Sequence, residues 1–216
     1  MIKLLGKVPD NINVAVSGGV DSMAVLDFLN NGRRNITVLH FNHGTPHGYE
    51  AKKFVRNYCF TRGIGLLDER IRREKRDDES LEEYWRTERY DYFKRHSHKP
   101  IVTAHHLDDV AEWWIMSALH GDAKVTPYMN PDYNVIRPFL LTPKAELESW
   151  AEKKKVPFIE DPSNCSRNHM RNVVRHDMIP TAKIINPGLH KTMRKKVQAM
   201  YDMQQKYFYK KSLNAV

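Results

Sequence analysis

A six-residue turn, SGGVDS at 17–22, has the composition of an anion-binding site. It joins an apolar run, INVAV at 12–16, to a periodic stretch over 23–30 that predicts a helix. A strand followed at once by a helix aims the unpaired N–H groups of the first helical turn, and the positive end of the helix dipole, at one point. Gly18 and Gly19 would let the backbone approach a ligand and take positive φ. The turn therefore predicts a phosphate cradle.

One carboxylate lies inside this turn. Asp21 would repel a phosphate unless a Mg²⁺ ion lies between the two groups. Ser17 and Ser22 add hydroxyl donors. No lysine follows, as it would in GxxxxGK[ST], and the spacing is not GxGxxG. The turn thus predicts a metal-assisted phosphate site of another kind, with an ordinary glycine-rich turn as the alternative.

A second polar cluster, within TAHHLDDVAE at 103–112, follows a strand predicted over 99–106. Open α/β sheets bind ligands at the carboxyl ends of their strands. The cluster consists of His105, His106, Asp108 and Asp109. Adjacent histidines and carboxylates without cysteine suit Mg²⁺ beside a triphosphate better than structural zinc. Helix capping is the alternative role for all four residues.

Arginines recur at helical spacing in two further segments. Arg86 and Arg89 share one face of a predicted helix, and guanidiniums at i, i+3 suit a phosphate or a carboxylate pair. In the second segment three arginines recur every four residues, which suits an RNA backbone or an α-phosphate. These are Arg167, Arg171 and Arg175. A solvated, salt-bridged surface is the alternative for both groups, although only Asp177 lies close to the second.

Seven stretches in a fixed order carry a family resemblance. SGGVDS resembles the pyrophosphate loop of the N-type ATP pyrophosphatases, the PP-loop superfamily, which cleave ATP between its α- and β-phosphates. The others are HFNHG (40–44), EYWRTERY (83–90), TAHHLDDVAE (103–112), RPFL (137–140) with EDPSN (160–164), and RNVVR (171–175). Together they are similar to the tRNA(Ile)-lysidine synthetases, in a short form without the usual further C-terminal domains. The chain departs from the family pattern at Thr45, Val110 and Trp113.

The resemblance implies a ligase that forms a carbon–nitrogen bond. Such an enzyme uses ATP and Mg²⁺ to adenylate the wobble cytidine of an isoleucine tRNA with a CAU anticodon. It then joins L-lysine to that base, forming lysidine with release of AMP and pyrophosphate. We therefore expect ATP, L-lysine and a tRNA as partners, and a homodimer is a further expectation.

The same resemblance, with the patterns above, predicts the site residues. The catalytic set is Asp21, Asp108, Asp109, Glu112 and Arg171. The nucleotide-binding set is Ser17, Gly18, Gly19, Val20, Asp21, Ser22, Phe41, His43 and His105. The metal ligands are Asp21 and Asp109. The RNA-binding set is Arg86, Arg89, Arg167, Arg171, Asn172, Arg175, Lys195 and Lys196.

Apolar runs that alternate with helical patterns predict an α/β fold, and the resemblance implies a parallel five-stranded sheet with helices on both faces. Strands are predicted at 12–16, 36–41, 63–71, 99–106 and 135–140. Helices are predicted at 23–30, 49–62, 80–96 and 109–119, and from Pro143. Residues 121–134 predict a loop or lid. The domains are a catalytic domain, 1–180, and a basic helical tail, 181–216.

The tail mixes cations with aromatic side chains, which suits RNA phosphates and bases. The equal alternative is an amphipathic helix docked on the core through Met193, Val197 and Met200. The 216 residues carry a net charge of +9 and have a pI near 9.5. Such a charge attracts polyanions, and the alternative is that it serves only solubility and has no binding partner. No membrane segment or secretory signal is evident, so we expect a cytoplasmic protein.

Two rival functions remain from the sequence. A tRNA thiolase of the same superfamily would need working cysteines, for which the chain offers Cys59, on a buried helix stripe, and Cys165. A non-catalytic nucleotide- or RNA-binding module would explain the departures from the family pattern.

Overall fold

The computed structural model describes residues 1–162, 167 and 170–213, with side chains as far as Phe208. Its sheet has the order β3-β2-β1-β4-β6-β5, in which five strands are parallel and β5 is antiparallel to β6. The strands are β1 (Asn11–Ala15), β2 (Asn35–Asn42), β3 (Gly65–Arg70), β4 (Ile101–Val102), β5 (Met129–Asn130) and β6 (Val135–Ile136). The predicted α/β fold with five parallel strands is confirmed, and a short sixth strand is added at one edge.

Helices follow the strands in the predicted order. They are α1 (Val20–Asn31), α2 (Pro46–Thr61), α3 (Leu81–Arg95), α4 (Leu107–Leu119), α5 (Lys144–Lys154), α6 (Met170–Val173), α7 (Ile179–Ile185) and α8 (Leu189–Leu213), with a π-helical turn, Val174–Met178, between α6 and α7. The α4 helix begins two residues earlier than predicted because His106 caps it. No helix in the described part of the chain is long and apolar enough to cross a membrane.

Both faces of the sheet are covered. On one face Val14 and Val38 belong to a large core that also contains buried residues of α1, α2, α4, α5 and α8. On the other face Leu39 and Ile101 pack with buried aromatic residues of α3. Neighbouring residues of a strand point to opposite faces, so the continuous burial of the central strands follows from this double cover.

The predicted loop or lid over 121–134 is wrong in its second half. Residues 122–127 have no regular secondary structure, but β5 and a 3₁₀ turn follow them. Gln204 of α8 accepts a hydrogen bond from Met129 N at 3.2 Å and donates one to Met129 O at 3.1 Å. The ring of Tyr128 is buried against Tyr201, with centroids 5.0 Å apart. A helix more than seventy residues away thus fixes this edge of the sheet, which no local pattern could indicate.

The basic tail is part of the main core. Met193 and Val197 are buried there and Met200 is half-buried, as the amphipathic interpretation requires. Lys195 and Lys196 lie on the exposed face of α8. The division of the chain near residue 180 stays a prediction, as does RNA binding by the tail.

We expect Met193→Ala to lower the free energy of unfolding by about 2–5 kcal/mol, because it leaves a cavity in a closed core. Lys195 lies two residues further along the same helix and is exposed. Lys195→Ala should therefore change the free energy of unfolding by no more than about 0.5 kcal/mol. Chemical denaturation of both variants measures the difference. Equal stabilities would mean that α8 does not hold the core together.

Candidate functional site

The SGGVDS turn is organised by Ser22. Its buried hydroxyl accepts hydrogen bonds from Ser17 N at 3.2 Å and Gly18 N at 3.3 Å, and it donates to Gly19 O at 2.9 Å. Gly19 precedes α1 without a side-chain cap. The hydroxyl of Ser22 therefore shapes the loop, whereas the first-turn N–H groups of α1, from Val20 onward, are left for a ligand.

The two glycines of the turn have different roles. Gly18 has φ +100°, as predicted, and its carbonyl accepts a hydrogen bond from Ile159 N at 3.0 Å. Gly19 has φ −74°, so the expected positive φ is wrong there. A Cβ on Gly18 would lie 3.2 Å from Ile159 Cγ1, while one on Gly19 would meet only Ser17 Oγ at 3.6 Å.

We expect Gly18→Ala to lower the free energy of unfolding by about 2–3 kcal/mol, through backbone strain and crowding against Ile159. Gly19→Ala should cost no more than about 1 kcal/mol, the difference between the two residues at a helix N-cap. Thermal denaturation of both variants compares the positions. The reverse ranking would contradict the loop geometry.

A carboxylate–histidine–carboxylate chain starts at this loop. Asp21 Oδ2 lies 3.6 Å from His106 Nε2, and His106 Nδ1 accepts a hydrogen bond from Asp109 N at 3.3 Å. Asp109 Oδ2 in return accepts from His106 N at 2.9 Å, which completes a capping box at the start of α4. Burial opposes the charge on His106, but Asp109 and Asp21 outweigh it and raise the pKa of the imidazole. His106 thus connects the loop to α4.

One oxygen of this chain lacks a partner. Asp21 Oδ1 is buried and accepts no hydrogen bond from any described residue. A buried carboxylate oxygen at a phosphate-type loop fits a hard cation. Among the described residues no group of three His, Cys, Asp or Glu side chains could hold a metal ion. A Mg²⁺ ion at Asp21 would therefore need further ligands from substrate phosphates or water.

Asp108 makes different contacts from its neighbour. Its oxygens accept hydrogen bonds from Lys144 N at 2.8 Å, His190 Nε2 at 3.0 Å and Lys183 Nζ at 3.3 Å. Burial favours the protonated acid, but the bonds from His190 and Lys144 N hold the pKa of Asp108 well below its usual range. The structure does not bring this carboxylate together with Asp21; it ties α4 to α5, α7 and α8. The catalytic role expected for Asp108 stays a prediction.

Glu112 and Asp109 neutralise two of the predicted RNA-binding arginines. Arg171 donates to Glu112 Oε2 at 2.8 Å and to Asp109 Oδ1 at 2.5 Å. Arg175 donates to both Glu112 oxygens, at 2.7 and 3.1 Å. Burial raises the pKa of Asp109, but His106 and Arg171 lower it to about 2. In the described structure each Asp109 oxygen thus accepts a hydrogen bond, and its role as a metal ligand stays a prediction.

The expectation of three free guanidiniums along one stripe is therefore corrected. Arg171 and Arg175 are salt-bridged to α4, and Arg167 donates to Asp177 at 2.9 Å. Asn172 lies buried between them in the chain. The sequence alone could not indicate these salt bridges, because the carboxylates belong to α4, about sixty residues away in the chain. Residues 163–166 and 168–169, including Cys165, lie outside the described residues.

Aromatic and imidazole rings line the carboxyl ends of β2 and β4. His43 lies 5.1 Å from the Phe41 ring and 5.3 Å from that of Trp85, a residue that the sequence analysis missed. Burial and the charge of Arg89 lower the pKa of His43 to about 4. Burial, with nearby arginines, lowers the pKa of His105 to about 3 despite Asp109. Both histidines are therefore neutral near pH 7. His105 Nδ1 lies 2.8 Å from Thr103 Oγ1, whereas the buried Nδ1 of His43 has no hydrogen-bond partner among the described residues.

Arg86 and Arg89 lie over the ring of Tyr90, with Cζ at 4.8 and 5.9 Å from its centroid. On α8, Lys196 Nζ lies 5.5 Å from the Trp114 ring. Cys59 is buried, and burial raises the pKa of its thiol to about 11. That environment suits a packing residue and argues against a sulfur-transfer role.

Comparisons with known proteins identify relatives of this chain. The chain is 34% identical over 179 residues to a protein named tRNA(Ile)-lysidine synthase from Aster yellows witches'-broom phytoplasma, covering 79% of this chain and 41% of that protein. A protein of the same name from Staphylococcus epidermidis is 32% identical over 212 residues, covering 90% and 49%. The chain thus spans about half or less of the length of these curated relatives.

An NH₃-dependent NAD synthetase structure from Campylobacter jejuni aligns with a TM-score of 0.49 at 10% identity, covering 89% of this chain and 86% of that one. A model of the PP-loop domain matches residues 2–182, and the chain therefore belongs to the PP-loop domain family.

Proposed function

We propose that this protein is a ligase that adenylates a cytidine of an isoleucine tRNA with ATP and joins L-lysine to the activated base. The observation that carries the proposal is the unpartnered oxygen of Asp21 inside the SGGVDS loop. It supports a phosphate group bound through a cation, as in Mg-ATP, because a carboxylate beside a phosphate needs a cation between them. The relatives named tRNA(Ile)-lysidine synthase support the choice of acceptor and amine.

The reaction has two steps. The carbonyl oxygen of the cytosine ring attacks the α-phosphate of ATP, the bond to the β-phosphate breaks, and pyrophosphate leaves into the SGGVDS loop. The amine of lysine then attacks the activated ring carbon, and AMP leaves with the former carbonyl oxygen. Activation is needed because an amide-like oxygen is a poor leaving group, whereas AMP is a good one. Mg²⁺, when bound, would neutralise charge as the α–β bond breaks.

The residues of the chain have separate tasks in this scheme. The first-turn N–H groups of α1 bind the departing pyrophosphate, and Ser22 keeps the loop in shape. Asp21 holds the cation, while His106 fixes its other oxygen. His43 and His105 remain neutral and offer hydrogen bonds to the nucleotide or the base. Glu112, predicted as a catalytic residue, is occupied by two arginines, so we assign it to positioning.

The decisive experiment is one reaction with purified protein, Mg-ATP, L-lysine and unmodified tRNA bearing a CAU anticodon. The tRNA is digested afterwards and its nucleosides are analysed by mass spectrometry. We expect a cytidine whose mass has increased by that of lysine less one water. A control tRNA with a CAU anticodon but a methionine identity tests the choice of tRNA.

The same assay separates the rivals. Pyrophosphate release without lysine addition would mean that another acceptor or amine is used. No pyrophosphate release, with ATP still bound, would favour a non-catalytic module. Cys165→Ser should leave activity unchanged, because lysidine formation needs no sulfur.

A further inference from the structure

Three arginines surround one tyrosine beside the candidate site, and no carboxylate pairs with them among the described residues. Arg137 is buried and donates to Tyr90 Oη at 3.3 Å and to Pro127 O at 2.9 Å. Arg86 and Arg89 lie over the face of the same ring. Although burial raises the pKa of Tyr90, the three guanidiniums lower it below its usual value. The cluster is therefore positively charged and uncompensated.

Arg89 is the member of the cluster that combines partial burial with donors that bind no described residue, since Arg86 is exposed and Arg137 is bonded. Arg89 is half-buried and donates no hydrogen bond to any residue that the structure describes, whereas Arg73, Arg171 and Arg175 each bind a carboxylate. Burial and the charges of Arg86 and Arg171 lower its pKa. A planar fork of donors, desolvated and surrounded by like charge, favours an oxyanion as its ligand.

The position of Arg89 restricts that oxyanion to the reaction site. Arg89 lies one helical turn after Trp85 on α3, and the Trp85 ring is 5.3 Å from that of His43. The charge of Arg89 acts on both His43 and His105, which follow β2 and β4. These two strands flank β1, whose carboxyl end carries the SGGVDS loop. The phosphates of ATP are drawn to the first turn of α1, and Arg86, which is exposed, is the better contact for an RNA backbone. The remaining anionic group of the proposed reaction is the carboxylate of the amino acid.

We propose that Arg89, which lies over the ring of Tyr90, binds the α-carboxylate of the amino-acid substrate. The proposal rests on the proposed function and replaces the RNA contact expected for Arg89 from the sequence.

The test compares L-lysine with 1,5-diaminopentane, which has the same amine chain and no carboxylate. We expect the wild-type protein to prefer lysine about 100-fold in kcat/KM. Arg89→Ala should raise the KM for lysine by a similar factor and leave the diamine almost unchanged, so that the preference disappears. Pyrophosphate release from ATP and tRNA in the absence of lysine should be retained.

Matched variants keep the outcome clear. Arg86→Ala should leave the preference for lysine intact, and Arg89→Lys, which keeps the charge and loses the planar fork, should lower it only in part. If Arg89→Ala instead raises the KM for ATP or tRNA while the preference for lysine over the diamine persists, Arg89 binds a phosphate and the proposal is overturned. A wild-type protein that forms lysidine but does not prefer lysine to the diamine overturns this proposal alone. One that releases no pyrophosphate overturns the proposed function as well.

Discussion

Replacing Asp21 by asparagine should lower the rate of pyrophosphate release by about 10³-fold, the effect of removing one preorganised charge from a phosphoryl-transfer site. The change keeps the size of the side chain and removes the charge that a cation would need. Because Asp21 Oδ1 has no partner in the described structure, the substitution breaks no hydrogen bond at that oxygen. Stability should therefore change little, because the amide oxygen can still face His106. Pyrophosphate release and thermal unfolding, measured on one preparation, test both parts.

Asp27→Asn is the matched control on the same helix. Asp27 Oδ2 accepts hydrogen bonds from Trp150 Nε1 and Asn31 Nδ2, both at 2.9 Å, and an amide oxygen can replace it. This variant should keep nearly full activity. If Asp21→Asn keeps its activity too, the loop binds phosphate without the carboxylate, and the assignment of the cation to Asp21 is wrong.

The features that could be predicted from the sequence are the local ones. The strand, turn and helix around SGGVDS occupy about twenty consecutive residues, so apolar runs and two glycines were sufficient to place the loop. The Ser80 cap of α3 was also predictable, and its hydroxyl accepts from Glu83 N at 3.1 Å. In each case the groups that interact are within a few residues of one another.

Asp108 and Asp109 show why adjacency in sequence was misleading. Consecutive residues of an α-helix point about 100° apart, since one turn contains 3.6 residues. One carboxylate therefore faces Arg171 and the His106 main chain, and the other faces α5 and α8. The motif suggested that both carboxylates belong to one site. In the structure Asp109 faces the candidate site, whereas Asp108 contacts the helices packed against α4.

The partners of the arginines could not be predicted either. Arg171 and Arg175 are 59 and 63 residues from Glu112, and no local pattern indicates which distant helix will lie opposite. The same holds for Gln204 and the β5 edge. Sequence periodicity identifies a charged face, whereas only the packed fold determines whether its counter-charge comes from the protein or from a ligand.

Glu112→Ala should lower the free energy of unfolding by about 2–3 kcal/mol, because Arg175 loses its hydrogen-bonded counter-ion, whereas Arg171 keeps Asp109. The Glu112 side chain is only 3% exposed, and its salt-bridge partners are Arg171 and Arg175. Glu148→Ala is the control, since Glu148 forms an exposed pair with Lys144 at 3.6 Å and should cost less than about 1 kcal/mol. Urea denaturation measures both values.

Glu112→Gln then separates positioning from proton transfer. An amide keeps the size of the side chain and one acceptor oxygen for the arginines, but it cannot take a proton from lysine. If Glu112 positions the arginines, both pyrophosphate release and lysine addition should fall by a similar factor. If it is the base for the amine, pyrophosphate release should persist while lysine addition stops. The first pattern is expected, because both of its oxygens accept hydrogen bonds from guanidiniums and neither is left for an incoming ammonium group.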